Sequence, residues 1–163
     1  MSNPPYIETQ AAQKGFLYPF FMLHMLVFGG IGFYQAYFAR EPSIVHLYLF
    51  GGFAIYVYLK FYRAIFGRDT IRWMFINAAL GFWGLYNELA LFLAFTGRSI
   101  ENYSIIVHII PFIYYIMYTF LLRQAVIDIF GARQDKSRKE KVERGYIGVS
   151  LAIFAGLYFL NRL

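Results

Sequence analysis

The feature of the sequence that most constrains its fold is a series of five apolar runs separated by short charged segments. A helix needs about 20 apolar residues to cross the hydrocarbon core of a bilayer, where only helices and closed barrels satisfy their backbone hydrogen bonds. We therefore predict an all-α polytopic integral membrane protein, in which residues 1–163 form a single transmembrane domain, a bundle of five transmembrane helices. The predicted spans cover residues 16–39, 44–62, 73–96, 105–122 and 146–160.

The fifth span is the shortest of the five. Its apolar run makes a helix of only about 22 Å at 1.5 Å per residue, so it either crosses a thinned bilayer or is re-entrant. We predict that it crosses, because no charged residue interrupts residues 146–160 and Arg162 follows at the far end.

Charged residues are few and unevenly placed. They make up 15 % of the chain, against roughly a quarter of an average soluble domain. Four basic residues lie in 60–72, between the second and third spans, and seven lie in 123–145. By the positive-inside rule both segments face the cytoplasm. The sequence therefore predicts a protein of the bacterial inner membrane, or of an equivalent organellar membrane, with its N-terminus in the cytoplasm and its C-terminus outside.

The segment 123–145 is predicted as a basic cytoplasmic loop, whose start prolongs the fourth helix before the chain turns into the fifth. Residues 131–145 carry six basic and three acidic side chains. Such a cluster can bind anionic lipid headgroups, but a solvated connector of mixed charge is the more ordinary interpretation. Arg123 and Asp128, at the start of this segment, are interpreted in the same way, as solvated rather than catalytic.

Several classes of function lack their sequence signatures. The chain has no cysteine, which excludes disulfides, thiolate metal sites and cysteine nucleophiles. It has no GxSxG, HExxH, GxGxxG or phosphate-loop motif, and its three histidines lie far apart. The net charge of +6 lies beside apolar runs, where it fits a topology signal better than a nucleic-acid surface. We predict membrane lipids as partners, no nucleic acid, no metal, and no hydrolytic, nucleotide-dependent or metal-dependent enzyme.

Glu88 is the only charged residue in 73–97 and is the candidate for a site inside the membrane. Ionisable side chains in spans are costly, and they normally face other helices or a wet cavity. Asn87 lies directly beside it, and Asn77 lies eleven residues before it. These three residues form the predicted ligand or proton site.

Helical spacing supports this grouping. Eleven residues make about three turns of helix, so Asn77, Gly81, Gly84 and Glu88 share one face of the third span. That face is small and polar, whereas the aromatic pair Phe82–Trp83 points elsewhere. We therefore expect Glu88 to face the interior of the bundle rather than lipid.

Three roles for this region stay open. In the first, which we favour, the protein binds or passes a small ligand, proton or ion at Glu88. His46 or His108 then serves as a relay, because all three groups lie roughly 6 to 10 Å to the outer side of the midplane. In the second, His46 and His108 bind haem b or a quinone in a redox or anchor subunit, although no motif predicts a cofactor. In the third, Glu88 only orders the bundle of a structural accessory subunit.

Small residues mark faces at which membrane helices can approach closely. Gly81 and Gly84 provide such a face in the third span, and Gly148, Ala152 and Gly156 follow one another at four-residue spacing in the fifth. Docking within the chain is the commoner use of such faces. The fifth-span face is also the predicted contact for a homo-oligomer or for a partner in a larger membrane complex.

Overall fold

A computed structural model describes residues 17–40 and 43–162 of the protein. Residue 16, where the predicted first span begins, lies outside the described residues, as do residues 1–15, 41, 42 and 163 of the predicted domain. Within the described part the chain forms helices and no strand. The helices are α1 (Leu17–Tyr37), α2 (Ile44–Phe66), α3 (Asp69–Phe95), α4 (Ile105–Ile129) and α5 (Lys136–Leu160), with a 3₁₀ turn at Ile100–Asn102.

All five helices are long and apolar enough to cross a membrane. The helix α4 lies at the centre of the bundle, where it contacts each of the other four, and α3 and α5 pack along each other. Met117, Phe120 and Leu121 of α4 are fully buried in the core, whereas Phe75 and Phe82 of α3 are largely exposed on the outer surface. Exposed apolar rings of this kind suit a surface that faces lipid. The prediction of a five-helix integral membrane protein is confirmed.

The helices continue beyond the predicted apolar spans into the charged segments. The helix α2 ends at Phe66. The N–H of Gly67 still donates to the Arg63 carbonyl, and the positive φ of Gly67, 67°, turns the chain out of the helix before α3 begins at Asp69. Charged residues favour this extension, because lysine, arginine and glutamate are good helix formers. The predicted boundaries at residues 62 and 73 therefore mark the end of apolar sequence and not the end of the helix.

The same extension of a helix into charged sequence explains why the apolar run of the fifth span is short. The helix α5 begins at Lys136, capped by the Asp135 carboxylate, which accepts a hydrogen bond of 3.1 Å from the Arg138 N–H. Its 25 residues make about 37 Å of helix, so the short apolar run 146–160 belongs to a helix long enough to cross. Most of the segment predicted as the loop 123–145 is therefore helical, and only residues 130–135 connect α4 to α5.

Glycines let the helices approach one another closely at three points. A Cβ would lie 2.7 Å from Ile110 at Gly51 and 2.8 Å from Tyr115 at Gly81, and at Gly84 it would overlap the Phe154 ring. Docking of α3 within the chain is thereby confirmed. The stripe of Gly148, Ala152 and Gly156 in α5 is instead exposed on the outside of the bundle. A partner helix at that stripe stays a prediction.

Candidate functional site

A cavity of about 240 Å³, lined by polar and apolar side chains, lies between α3, α4 and α5. The helix α3 provides Asn77, Gly81 and Glu88, so three members of the predicted face lie together. The aromatic pair Phe82–Trp83 is exposed on the opposite side, as the helical spacing predicts. The other two helices complete the wall with Tyr115, Tyr118, Thr119, Leu122, Tyr146, Ser150, Ile153 and Phe154.

Asn77 is the most unusual polar group of this cavity. The residue is 2 % exposed, and neither its amide nitrogen nor its amide oxygen has a hydrogen-bond partner among the described residues. A buried amide without a partner costs about 1–3 kcal/mol, and it carries one donor group and one acceptor group. Asn77 is thus a buried polar group that no described residue satisfies.

Glu88 lies three turns along the same face. Its side chain is half-buried and lines the cavity, and it makes no hydrogen bond or ion pair with the described residues. A lone acidic side chain near the middle of a membrane helix costs roughly 2.5–3.5 kcal/mol on insertion scales. The chain therefore keeps a costly carboxylate in a place where no protein partner compensates for it.

The polar groups of α4 and α5 are partly occupied by the backbone. The Thr119 hydroxyl donates to the Tyr115 carbonyl of its own helix at 2.9 Å. The Tyr146 hydroxyl donates across the helix interface to the Thr119 carbonyl at 3.2 Å. These bonds hold α4 and α5 together at the wall opposite Asn77.

Asn87 does not line this cavity, although the sequence groups it with Glu88. Its side-chain amide donates to the Trp83 backbone carbonyl at 2.8 Å. The backbone carbonyl of Asn87 accepts a hydrogen bond of 2.8 Å from the Asn161 side chain. Asn87 thus joins α3 to the C-terminal end of α5. The reason is helical geometry, because adjacent residues point about 100° apart around a helix.

The three titratable residues predicted at a similar depth line three different cavities. Glu88 lies between α3, α4 and α5, His108 lies between α1, α3 and α4, and His46 lies between α1 and the start of α2. His108 is half-buried and shares a hydrogen bond of 2.7 Å with the Tyr37 hydroxyl, whereas His46 is exposed. The part of the chain that the structure describes brings no three His, Asp or Glu residues together as a metal site.

A buried ion pair near the α4–α5 connection was missed by the sequence interpretation. Arg123 is 1 % exposed and pairs with Glu143 of α5, so the interpretation of Arg123 as solvated is wrong. Its guanidinium lies 3.7 Å from the centre of the Trp73 ring. At the surface beside it, Lys139 pairs with Asp69 at 3.1 Å. Together these contacts connect α3, α4 and α5 at the end of the bundle that carries the basic segments.

The residues of α4 and α5 that line the cavity were also missed. Their spacing gives a weak signal, since Tyr115 and Thr119, like Tyr146 and Ser150, lie four residues apart and share a helical face. No family model, curated protein or solved structure matches this chain. Its function must therefore be argued from the cavities themselves.

Proposed function

We propose that this integral membrane protein binds a proton or a small cation at Glu88 and passes it through the cavity between α3, α4 and α5. The observation that carries this proposal is the pairing of two groups in one cavity: a carboxylate and a buried amide, neither of which has a hydrogen-bond partner among the described residues. Ionisable residues placed in this way inside membranes mark ion and proton pathways.

The chemistry of the wall favours a proton or a hard cation over an apolar ligand. Glu88 and Asn77 offer carboxylate and amide oxygens, and Tyr115 and Ser150 add hydroxyl oxygens. Oxygen ligands are those that hard cations prefer. A cavity of about 240 Å³ has room for several water molecules, which supports a hydrated ion or a proton carried along hydrogen bonds.

The proposed setting is a bacterial inner membrane with the N-terminus in the cytoplasm. The basic segments 60–72 and 123–145 fall at the same end of the bundle, because α2 and α4 end there and α3 and α5 begin there. This clustering supports the orientation given by the positive-inside rule.

Glu88→Gln is expected to reduce proton or cation flux to the level of protein-free liposomes. Glutamine keeps the shape of the side chain and its capacity for hydrogen bonds. It neither takes up a proton near neutral pH nor carries the negative charge of glutamate. The measurement is the response of an internal pH dye, or of a dye for Na⁺ or K⁺, after a potential is imposed across liposomes that contain the purified protein.

Glu140→Gln is the matched control, because Glu140 is an exposed glutamate of α5 outside the cavity. Its flux should equal that of the unsubstituted protein. Full flux in Glu88→Gln would remove Glu88 from the mechanism. Wild-type flux equal to that of empty liposomes, for protons and for each cation tested, would contradict transport.

Asn77→Leu is expected to separate function from stability. Leucine removes the unpartnered amide, so the free energy of unfolding should stay unchanged or rise by about 1 kcal/mol, while flux falls. Asn87→Leu is the control, because it should lower the free energy of unfolding instead. It removes the amide that donates a hydrogen bond to the Trp83 carbonyl. Thermal unfolding in mild detergent measures both variants. A marked loss of stability in Asn77→Leu would show that the amide has a structural partner.

A further inference from the structure

We propose that a second cavity, between α1, α3 and α4, binds a membrane-soluble ring compound with a neutral oxygen head group, of the quinone or quinol class. This cavity has a volume of about 310 Å³, within the range of small-molecule sites. Glu88 does not line this cavity, although Tyr115 and Tyr118 line both cavities. The residues that decide its chemistry are Met25, Phe33, Tyr37, Leu89, His108 and Tyr114.

The His108 side chain, at one end of the cavity, is held in a fixed geometry. The His108 imidazole shares a hydrogen bond of 2.7 Å with the Tyr37 hydroxyl and stacks on the Tyr37 ring at 5.6 Å between centres. The Tyr37 carbonyl in turn accepts hydrogen bonds from Tyr103, at 2.9 Å, and from Arg98. These contacts orient the imidazole, which can donate or accept a hydrogen bond at a ligand oxygen.

The remaining walls are apolar and largely aromatic. Phe33 and Tyr37 come from α1, Leu89 comes from α3, and Tyr114 comes from α4. A Cβ at Gly29 would lie 3.6 Å from the Tyr114 ring, so α1 packs closely on that ring and holds it in place in the cavity wall. Flat apolar walls favour a flat ring, because offset stacking adds about 0.5–1.5 kcal/mol per aromatic pair.

The cavity opens onto lipid between α1 and α3. Leu26 lies at its rim and is 61 % exposed on the outer surface of the bundle. Phe33 of α1 and Phe92 of α3 meet edge to face at 5.4 Å and close the gap farther along, toward the C-terminal ends of both helices. A ligand therefore enters from the hydrocarbon, with its ring inside and any tail along Leu26.

The charge of the lining selects a neutral head group. Among the described residues that line the cavity there is no Asp, Glu, Lys or Arg. Arg98 is directed elsewhere, because it donates to Tyr37 and Tyr103 and its guanidinium lies 4.5 Å from the centre of the Phe38 ring. A carboxylate or phosphate head group would lack a cation, whereas a carbonyl or hydroxyl oxygen finds the imidazole.

Calorimetric titration of a decyl-substituted benzoquinone into the purified full-length protein, in maltoside micelles, tests the proposal. We expect saturable binding above that of empty micelles, weakened about tenfold in His108→Leu, the effect of one lost hydrogen bond. Tyr37→Phe keeps the ring and removes the hydroxyl, so it should weaken binding without unfolding the protein. His46→Leu, an exposed histidine of a different cavity, is the control and should bind as the unsubstituted protein does.

Equal affinity in the wild-type protein, His108→Leu and Tyr37→Phe would overturn the proposal, as would the absence of saturable binding. Decanol that binds as tightly as the ring compound would also overturn it, by showing a site for alkyl chains. Glu88→Gln should bind the quinone normally. Full flux in that variant beside normal quinone binding would overturn the transport proposal alone. Loss of flux in that variant, beside a wild-type protein without saturable quinone binding, would overturn the quinone proposal alone.

Discussion

Glu143→Leu is expected to lower the free energy of unfolding by about 3–5 kcal/mol, because it leaves the buried Arg123 guanidinium without its carboxylate. Two nitrogens of Arg123, Nε and Nη1, already have no hydrogen-bond partner among the described residues, and the other carboxylate near the guanidinium, that of Asp69, is already paired with Lys139. Reversible unfolding of the detergent-solubilised protein, followed by circular dichroism, measures the loss. Glu140→Leu changes an exposed residue of the same helix and should have little effect.

A double variant decides whether the loss comes from the unpaired charge. Replacing both partners of a buried ion pair with apolar residues of similar volume is often neutral or stabilising. Arg123→Met combined with Glu143→Leu should therefore recover most of the stability that Glu143→Leu loses. A double variant as unstable as the single one would mean that Glu143 supports the α4–α5 connection through contacts other than Arg123.

The helices of this protein could be predicted from its sequence, because hydropathy reports directly on a chain that must satisfy its backbone hydrogen bonds in lipid. Hydropathy failed at the helix ends, where α5 continues through ten residues of mixed charge before Tyr146. Charge stops a segment from lying in hydrocarbon, but it does not stop a helix. The length of an apolar run therefore predicts the part of a helix that lies in hydrocarbon, and not the length of the whole helix.

The candidate site could be predicted only along α3. Helical spacing places Asn77 and Glu88 on one face, and both line the cavity. The opposite wall, which includes Tyr115 and Tyr146, depends on which helices meet, and that is decided by tertiary packing. Arg123 escaped prediction for the same reason, since its partner Glu143 lies twenty residues away in a segment that resembles a solvated connector.

Counting residues along each predicted span gives the depth of each histidine in the membrane. It does not give the direction in which the side chain points around its helix. His46 and His108 were predicted at similar depths in the membrane. They nevertheless line two separate cavities, each of which is partly formed by α1. Depth is one coordinate of three, and the rotation of each helix about its axis supplies another. The pairing of His108 with Tyr37 arises because α1 packs against α4, and no sequence pattern predicts that these two helices meet.

Gly84→Ala is expected to lower the free energy of unfolding by about 1–3 kcal/mol, the usual range for overpacking a close contact. The new Cβ would overlap three atoms of the Phe154 ring, so the ring or the helix α5 must move. Gly52→Ala is the matched control, because its Cβ would meet nothing within 4 Å. Alanine favours helix over glycine, so Gly52→Ala should be neutral or slightly stabilising. Thermal unfolding in detergent compares the two.

Gly84→Ala should also reduce the flux of protons or cations, because Phe154 forms part of the cavity wall beside Glu88. A ring displaced by the Gly84→Ala methyl group either enters the cavity or pushes α5 away from α3. Phe154→Leu combined with Gly84→Ala relieves the contact and should restore both stability and flux toward those of Phe154→Leu alone. If the double variant regains stability but not flux, the Phe154 ring itself shapes the pathway. If it regains neither, the contact between Gly84 and Phe154 does not set the distance between α3 and α5.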